Sequence, residues 1–348
     1  MKSVNKLLRF FSYHQPRRIR VIENTLRSRR TVATLFWARQ YGILEWLGAD
    51  RTLNRQEYDQ LINQLVADKL LAIDDQSQAI LTEKGAKVLK NEEETFYIPS
   101  FYDWYWLTNT QRIIQRLFLA IQVVSEFSYH QRKYVPLAIS YGEMVAVKQW
   151  FRQNYHHDLV KNLYTDLHRF GSALESEDPR MTTDLFNVMI GYQRSGWTIN
   201  QAVQELKIKI DDIQYLRHDE MLAVSAYARN FPGPLQQLLL PLINESPLNR
   251  SAQVTFDLYT QGEPIELIAQ ERRLKENTIR EHLLEAAILI PDKLDWDILL
   301  PESKRDELSR FYKGEPTAWK FDEQIASFYE YRLYQIFQGA VCKIKLEK

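Results

Sequence analysis

The 348-residue sequence has one cysteine, Cys342, so no disulfide can form within it, and a lone thiol so close to the C-terminus reads as incidental rather than catalytic. Such cysteine usage fits a reducing, cytoplasmic setting. Glycine is scarce, at 11 residues, and no GxxxxGK[ST] phosphate loop is present; HExxH and paired CxxC motifs are missing as well. These absences argue against an autonomous nucleotide-driven motor and against a metal-dependent hydrolase, and no cofactor is expected. Seven histidines include the adjacent His156 and His157 and the distant His168, without a carboxylate or cysteine at metal-ligand spacing. Glu175, Glu177 and Asp178 form an acidic stretch that reads as a solvated loop. Long apolar runs are also lacking: the most apolar stretch, IIQRLFLAIQVV from Ile113, is interrupted by Gln115 and Arg116 and falls short of the roughly 18 to 20 residues that span a bilayer. It reads as a buried helix, and no membrane partner is expected.

What is present is an ordinary folded composition, 45% hydrophobic and 26% charged, long enough for two or three small domains. Forty-five basic residues balance forty-five acidic ones, but unevenly along the chain. Before residue 40 only Glu23 opposes Lys2, Lys6, Arg9, Arg17, Arg18, Arg20, Arg27, Arg29, Arg30 and Arg39. An Arg-rich start of this kind resembles a transit segment, yet it runs without a compositional break into folded sequence. Residues 40–110 are acidic, with Glu92, Glu93 and Glu94 in a row.

The expected fold class is mainly α, with an N-terminal winged-helix-like domain carrying a small β-hairpin, a helical middle, and C-terminal tandem helix-turn-helix-like units. Residues 1–94 are assigned to the basic segment and winged-helix-like domain. There, TVATLFWARQYGILEWL and NRQEYDQLINQLVADKLL read as helices, the second capped by Asn54; LLAIDDQSQAILT reads as a hairpin, and TEKGAKVLK as a helix capped by Thr82. Residues 95–175 form an aromatic-rich helical domain that includes FYDWYW at 101–106. Its Arg112, Arg116, Arg132, Lys133, Lys148 and Arg152 interleave with Tyr and Trp, which suits either stacking on unpaired bases or plain core filling. SALESEDPR is a candidate boundary.

Two stretches repeat the same anchor spacing. Gly196, Ile199, Val203, Ile208 and Ile213 stand in phase with Gly262, Ile265, Ala269, Leu274 and Ile279, which suggests a duplicated helical unit at 182–245 and 250–300. Chance agreement between two amphipathic helix pairs is the alternative. A C-terminal extension, 301–348, follows as a broken helix and then a continuous one over FDEQIASFYEYRLYQIFQGAV. Within GEPIELIAQERRLKENTIREHLL at 262–284, Ile265, Ile268 and Ala269 face inward, Leu274 closes a turn, Asn277 caps a second helix, and Ile279 and Leu283 seat it. His282 lies either toward a base or phosphate, or at the edge of the packed face.

IAQERRLKENTIREHLLEA, with the preceding YTQGEPIEL, resembles the helix-turn-helix domain at the C-terminus of many bacterial RecQ-type helicases. By length and by the C-terminal placement of that domain, the chain resembles the YpbB family. The resemblance implies a non-catalytic accessory protein of a RecQ-type helicase, acting on the helicase, on DNA (duplex, single-stranded or forked), or on both, in repair or recombination. A similar IA…TI..HL pattern occurs in LuxR-type regulators, so a DNA-binding transcriptional regulator is the alternative; no βαβ receiver pattern precedes the domain here. Members of the resembled domain place glycine in the turn where this chain has Arg273, which puts the usual tight turn in question.

Expected DNA contacts are Lys275, Asn277, Thr278 and Arg280 on the second helix, and Arg17, Arg18, Arg20, Arg27, Arg29 and Arg30 near the N-terminus. Six glutamates outnumber four bases across 262–290, so this unit also reads as a protein-docking surface.

Overall fold

The computed structural model describes residues 4–93, 96–102, 108–156 and 158–346. Lys2, Glu94, His157 and residues 103–106 of the aromatic run lie outside the described residues, as do the side chains of Glu92, Glu93 and Cys342. In chain order the strands are β1 (Arg17–Arg18), β2 (Leu71–Ile73) and β3 (Gln78–Leu81). The helices are α1 (Ile19–Leu26), α2 (Val32–Gln40), α3 (Arg55–Ala67), α4 (Glu83–Glu93), α5 (Thr110–Ser128), α6 (Tyr141–Asn154), α7 (Leu159–Glu177), α8 (Pro179–Val188) and α9 (Ile199–Leu206). They continue as α10 (Ile213–Asn230), α11 (Pro234–Leu239), α12 (Arg250–Thr260), α13 (Ile265–Arg272), α14 (Glu276–Leu289), α15 (Trp296–Leu299), α16 (Glu302–Phe311) and α17 (Phe328–Leu346). The protein is thus mainly helical, with a small antiparallel sheet near its N-terminus. It divides into two compact units, residues 1–19 with 45–245, and residues 20–44 with 246–348.

The first unit opens with the winged-helix-like sequence. Asn54 caps α3, its Oδ1 accepting from the Glu57 amide at 2.8 Å, and Thr82 Oγ1 accepts from the Gly85 amide at 3.0 Å at the start of α4. The hairpin turn is held by Asp74 Oδ1, which accepts from the amides of Gln76 and Gln78 at 2.9 and 2.8 Å. Sequence periodicity missed one strand: β1 adds to the hairpin in the order β1-β3-β2, pairing Arg17 with Ala79 and Arg18 with Gln78. Two residues are too short to carry an alternation signal. The fully buried Tyr58 of α3 donates its hydroxyl to the Ile19 carbonyl at 3.0 Å.

Helices α5 to α11 complete this unit around Ile113, Leu117, Leu174, Met181, Leu222 and Leu235. Arg112 and Arg116, two of the bases interleaved with the aromatics, converge on the buried Glu143 at 2.5 and 2.6 Å and join α5 to α6. Asp219 of α10 accepts from Tyr97 Oη and from the amides of Ser100 and Phe101 at 2.7–2.8 Å, pinning the segment before α5. Within SALESEDPR the chain turns a corner at Asp178, between α7 and α8; Asp178 Oδ1 accepts from the Arg180 amide at 2.9 Å, and Pro179 opens α8. Glu175 and Glu177 therefore lie on a helix rather than in a loop.

The second unit takes residues from both ends of the described chain. The aromatic run 31–47 is two elements rather than one helix: α2 stops at Gln40, and Gly42 turns the chain at φ +65°. Leu35, Phe36 and Ala38 bury the inner face of α2, which packs against α14. Arg332 of α17 places its guanidinium 3.9 Å over the Phe36 ring. The last helix starts later than its apolar stripe suggested. It begins at Phe328, capped by Ser327, and the Glu330 carboxylate reaches back to the Ser327 amide at 2.9 Å.

Candidate nucleic-acid interface

Helices α12, α13 and α14 form the helix-turn-helix. Ile268, Ile279 and Leu283 are fully buried and Ala269 nearly so, while Ile265 and Leu274 sit at the edge of the packed face. Arg273 adopts the left-handed conformation, φ 53° and ψ 43°, that the resemblance assigns to glycine. The Leu274 amide then donates to the Ala269 carbonyl at 3.0 Å and the Arg273 amide to Gln270 at 3.2 Å, the paired bonds of a Schellman ending. The tight turn forms despite its arginine.

The start of α14 differs from expectation. Lys275 occupies the cap position without a side-chain bond, and Asn277 lies inside the first turn. Glu276 enters the helix ahead of Asn277, where its negative charge is favourable beside the N-terminal amides. It also accepts from Arg280 at 2.9 Å, and Asn277 Oδ1 accepts from the same guanidinium at 3.3 Å. Arg273, Lys275 and Asn277 are exposed at this tip, Thr278 and Arg280 half-buried.

Behind the tip, one polar network ties the three helices. Arg272 donates to the Ser251 carbonyl at 2.7 Å and to Thr255 Oγ1, and Thr255 Oγ1 lies 2.8 Å from His282 Nδ1. Burial, reinforced by the Arg272 charge, lowers the His282 pKa below its usual value. His282 is a packing residue of the motif. Sequence spacing placed it on the second helix; its partner Thr255 sits on α12, upstream of the stretch that carried the motif.

The N-terminal arginines separate. Arg17 and Arg18 belong to the first unit, as part of β1, where Arg17 donates to the Phe10 carbonyl at 2.7 Å. Arg20, Arg27, Arg29 and Arg30 belong to the second. Arg20 and Arg27 flank the buried Glu23 carboxylate at 2.8 and 2.6 Å. Arg30 binds Glu285 of α14 at 2.8 Å and donates to the Pro247 carbonyl; Asn249 Nδ2 donates to the other Glu285 oxygen at 2.9 Å. Burial raises the Glu285 pKa, with Arg30 and Asn249 opposing the shift. Arg39 donates to the Ile288 carbonyl near the end of α14, and burial lowers its pKa. Arg29 is exposed.

The repeat noted in the sequence is matched in structure. Gly196 and Gly262 both take positive φ, +72° and +91°; each precedes an eight-residue helix, α9 and α13, and each helix ends on a left-handed basic residue, Lys207 at φ 52° and Arg273 at φ 53°. The copies differ after the turn, for α10 starts only at Ile213 whereas α14 starts at Glu276. The longer connection leaves the upstream copy without a tip like that of α14.

Among the described residues no group of three or more His, Cys, Asp or Glu gathers as a metal site requires, and no helix is long and apolar enough to cross a membrane.

Residues 251–335 match the family described as a helix-turn-helix domain. The second unit contains such a domain. Over 272 residues, 76% of this chain and 76% of the relative, the sequence is 23% identical to Protein YpbB of Bacillus subtilis (strain 168). No solved structure matches.

Proposed function

We propose that this chain is a non-catalytic DNA-binding protein that serves a RecQ-type helicase as an accessory in repair or recombination. The observation that carries the DNA-binding part is the tip of the helix-turn-helix. Arg273, Lys275 and Asn277 stand exposed where α13 turns into α14, while Arg272, Thr255 and His282 are spent inside the motif. A helix presented by its N-terminal residues is how such motifs enter the major groove, with cations on phosphate and an amide on a base edge. Arg29, exposed on the second unit, is the N-terminal cation best placed to add a phosphate contact.

The helicase part rests on the resemblance of IAQERRLKENTIREHLLEA to the domain at the end of RecQ-type helicases and on the similarity to YpbB. Acidic residues around the tip, Glu271, Glu276 and Glu281, keep its electrostatic attraction for DNA modest, which suits a protein that a helicase brings to its substrate. The test is capture of the tagged chain from native extract, with and without nuclease. The reading expects a RecQ-type helicase in both samples. Loss of the helicase after nuclease treatment reduces the association to DNA bridging, and its absence from both overturns the partnership.

A further inference from the structure

The first unit holds a cavity of about 670 Å³ formed by α5, α7, α8 and the turn at residues 189–194. Its volume lies within the range typical of small-molecule sites. Whereas the rings of Trp46, Tyr102 and Tyr215 pack on one another inside the protein, two tyrosine rings of the cavity wall face solvent. Tyr129, 63% exposed, stacks on Tyr192 with ring centres 4.5 Å apart and planes 19° from parallel. Tyr164, 68% exposed, stands on α7 with His168 one turn along, their rings 6.1 Å apart.

Two glycines make the walls close. A Cβ on Gly171 would meet the Phe186 ring at 2.8 Å, and one on Gly191 would meet Ser125 Oγ at 2.5 Å. Ser125 Oγ also accepts from the Tyr192 amide at 3.0 Å, which fixes the turn that carries the stacked ring. Along one stripe of α7, Glu175 follows Tyr164, His168 and Gly171 at helical spacing and lines the cavity with a carboxylate that forms no ion pair with any described residue. Arg194, held by Asn187 Oδ1 at 2.9 Å, supplies a cation on the same wall.

We infer that this cavity binds a guanine base, presented by an unpaired strand or by a free guanine nucleotide. Exposed, pre-stacked rings offer a π-face that every base can use, which supplies affinity without choosing among bases. Glu175 supplies the choice. Its two oxygens match the adjacent ring N–H and amino N–H of guanine, whereas adenine presents a ring acceptor beside its amino group and would set that lone pair against the carboxylate. Arg194 then pairs with the phosphate that accompanies the base. The inference concerns the first unit and stands apart from the helix-turn-helix reading.

The test uses the full chain and follows tyrosine fluorescence on titration with guanosine monophosphate, adenosine monophosphate, and short thymine strands carrying one guanine or one adenine. Guanine-bearing probes should bind about tenfold more tightly than their adenine counterparts. Glu175→Gln should remove most of that preference. Tyr129→Ala and Tyr164→Ala should each weaken binding by about tenfold, whereas Tyr164→Phe, which keeps the ring, should not. Binding of the mononucleotide as tightly as the strand identifies a free nucleotide as the source; tighter binding of the strand identifies unpaired nucleic acid. Equal affinity for guanine and adenine, or unchanged affinity in both alanine variants, overturns the assignment. Arg273→Ala with Lys275→Ala should leave binding of guanosine monophosphate intact while weakening duplex DNA, so failure at the helix-turn-helix and failure at the cavity are read separately.

Discussion

Single residues in the second unit carry more structural than contact duty. Glu285 is buried with its carboxylate held by Arg30 and Asn249, so removing the cation alone leaves a buried charge unmatched. Arg30→Ala should cost about 3 kcal/mol in denaturant unfolding, and Arg30→Ala with Glu285→Gln should recover a large part of it. His282 gives a pH signature. Its folded-state pKa is below the unfolded value, so its contribution is present above about pH 6.5 and is lost as pH falls through the folded pKa. Melting temperature should drop on acidification below that point, and His282→Gln should flatten this part of the profile. Arg273 separates stability from binding: Arg273→Gly should raise stability by about 1 kcal/mol by relieving the left-handed backbone, while weakening any DNA complex that uses the guanidinium. The inward positions Ile268, Ala269, Ile279 and Leu283 were legible because helical spacing alone selects them. The partners of Arg30 and Arg272 were not, because an arginine looks the same in sequence whether it meets phosphate or a glutamate far along the chain.

Among the elements, the two units with phased anchors offer a paired comparison. Both Gly196 and Gly262 have positive φ, but a Cβ at Gly196 would lie 2.5 Å from the Val188 carbonyl oxygen, whereas at Gly262 nothing lies within 4 Å. Gly262→Ala should therefore cost only the conformational strain, about 1 kcal/mol, and Gly196→Ala clearly more, with the difference measured by thermal unfolding of the two variants. Equal costs would mean that the upstream turn relaxes around the added methyl. Five phased anchors sufficed to find this repeat, and Asn54 and Thr82 sufficed to locate two helix starts. Strand β1 and the end of α2 escaped notice, the first for its two-residue length and the second because the apolar pattern continues through Gly42 into the next unit. The cap at the start of α14 was misplaced because Asn277 is the better side-chain cap in isolation, yet the helix begins two residues earlier than that cap implies, at Glu276.

For the whole molecule, the main lesson is that chain order and compact units do not coincide. Residues 20–44 fold with 246–348, and α2 covers part of α14 while Arg30 pairs with its Glu285 carboxylate and Arg39 with its Ile288 carbonyl. No composition shift announces that association, since it depends on pairing across some 250 residues. It also changes what the basic N-terminus means, because several of its charges are matched within the fold. A fragment of 246–348 should accordingly be poorly ordered alone and gain helical circular dichroism when a peptide of residues 20–44 is added; no gain would argue that the unit folds without it. The central claim is that the exposed tip of the helix-turn-helix contacts DNA. Titration of duplex DNA over a range of salt tests it most directly, comparing the natural chain with Arg273→Ala plus Lys275→Ala. Loss of two phosphate contacts predicts weaker binding and a log–log salt slope shallower by about 1.8; unchanged affinity and slope would contradict it.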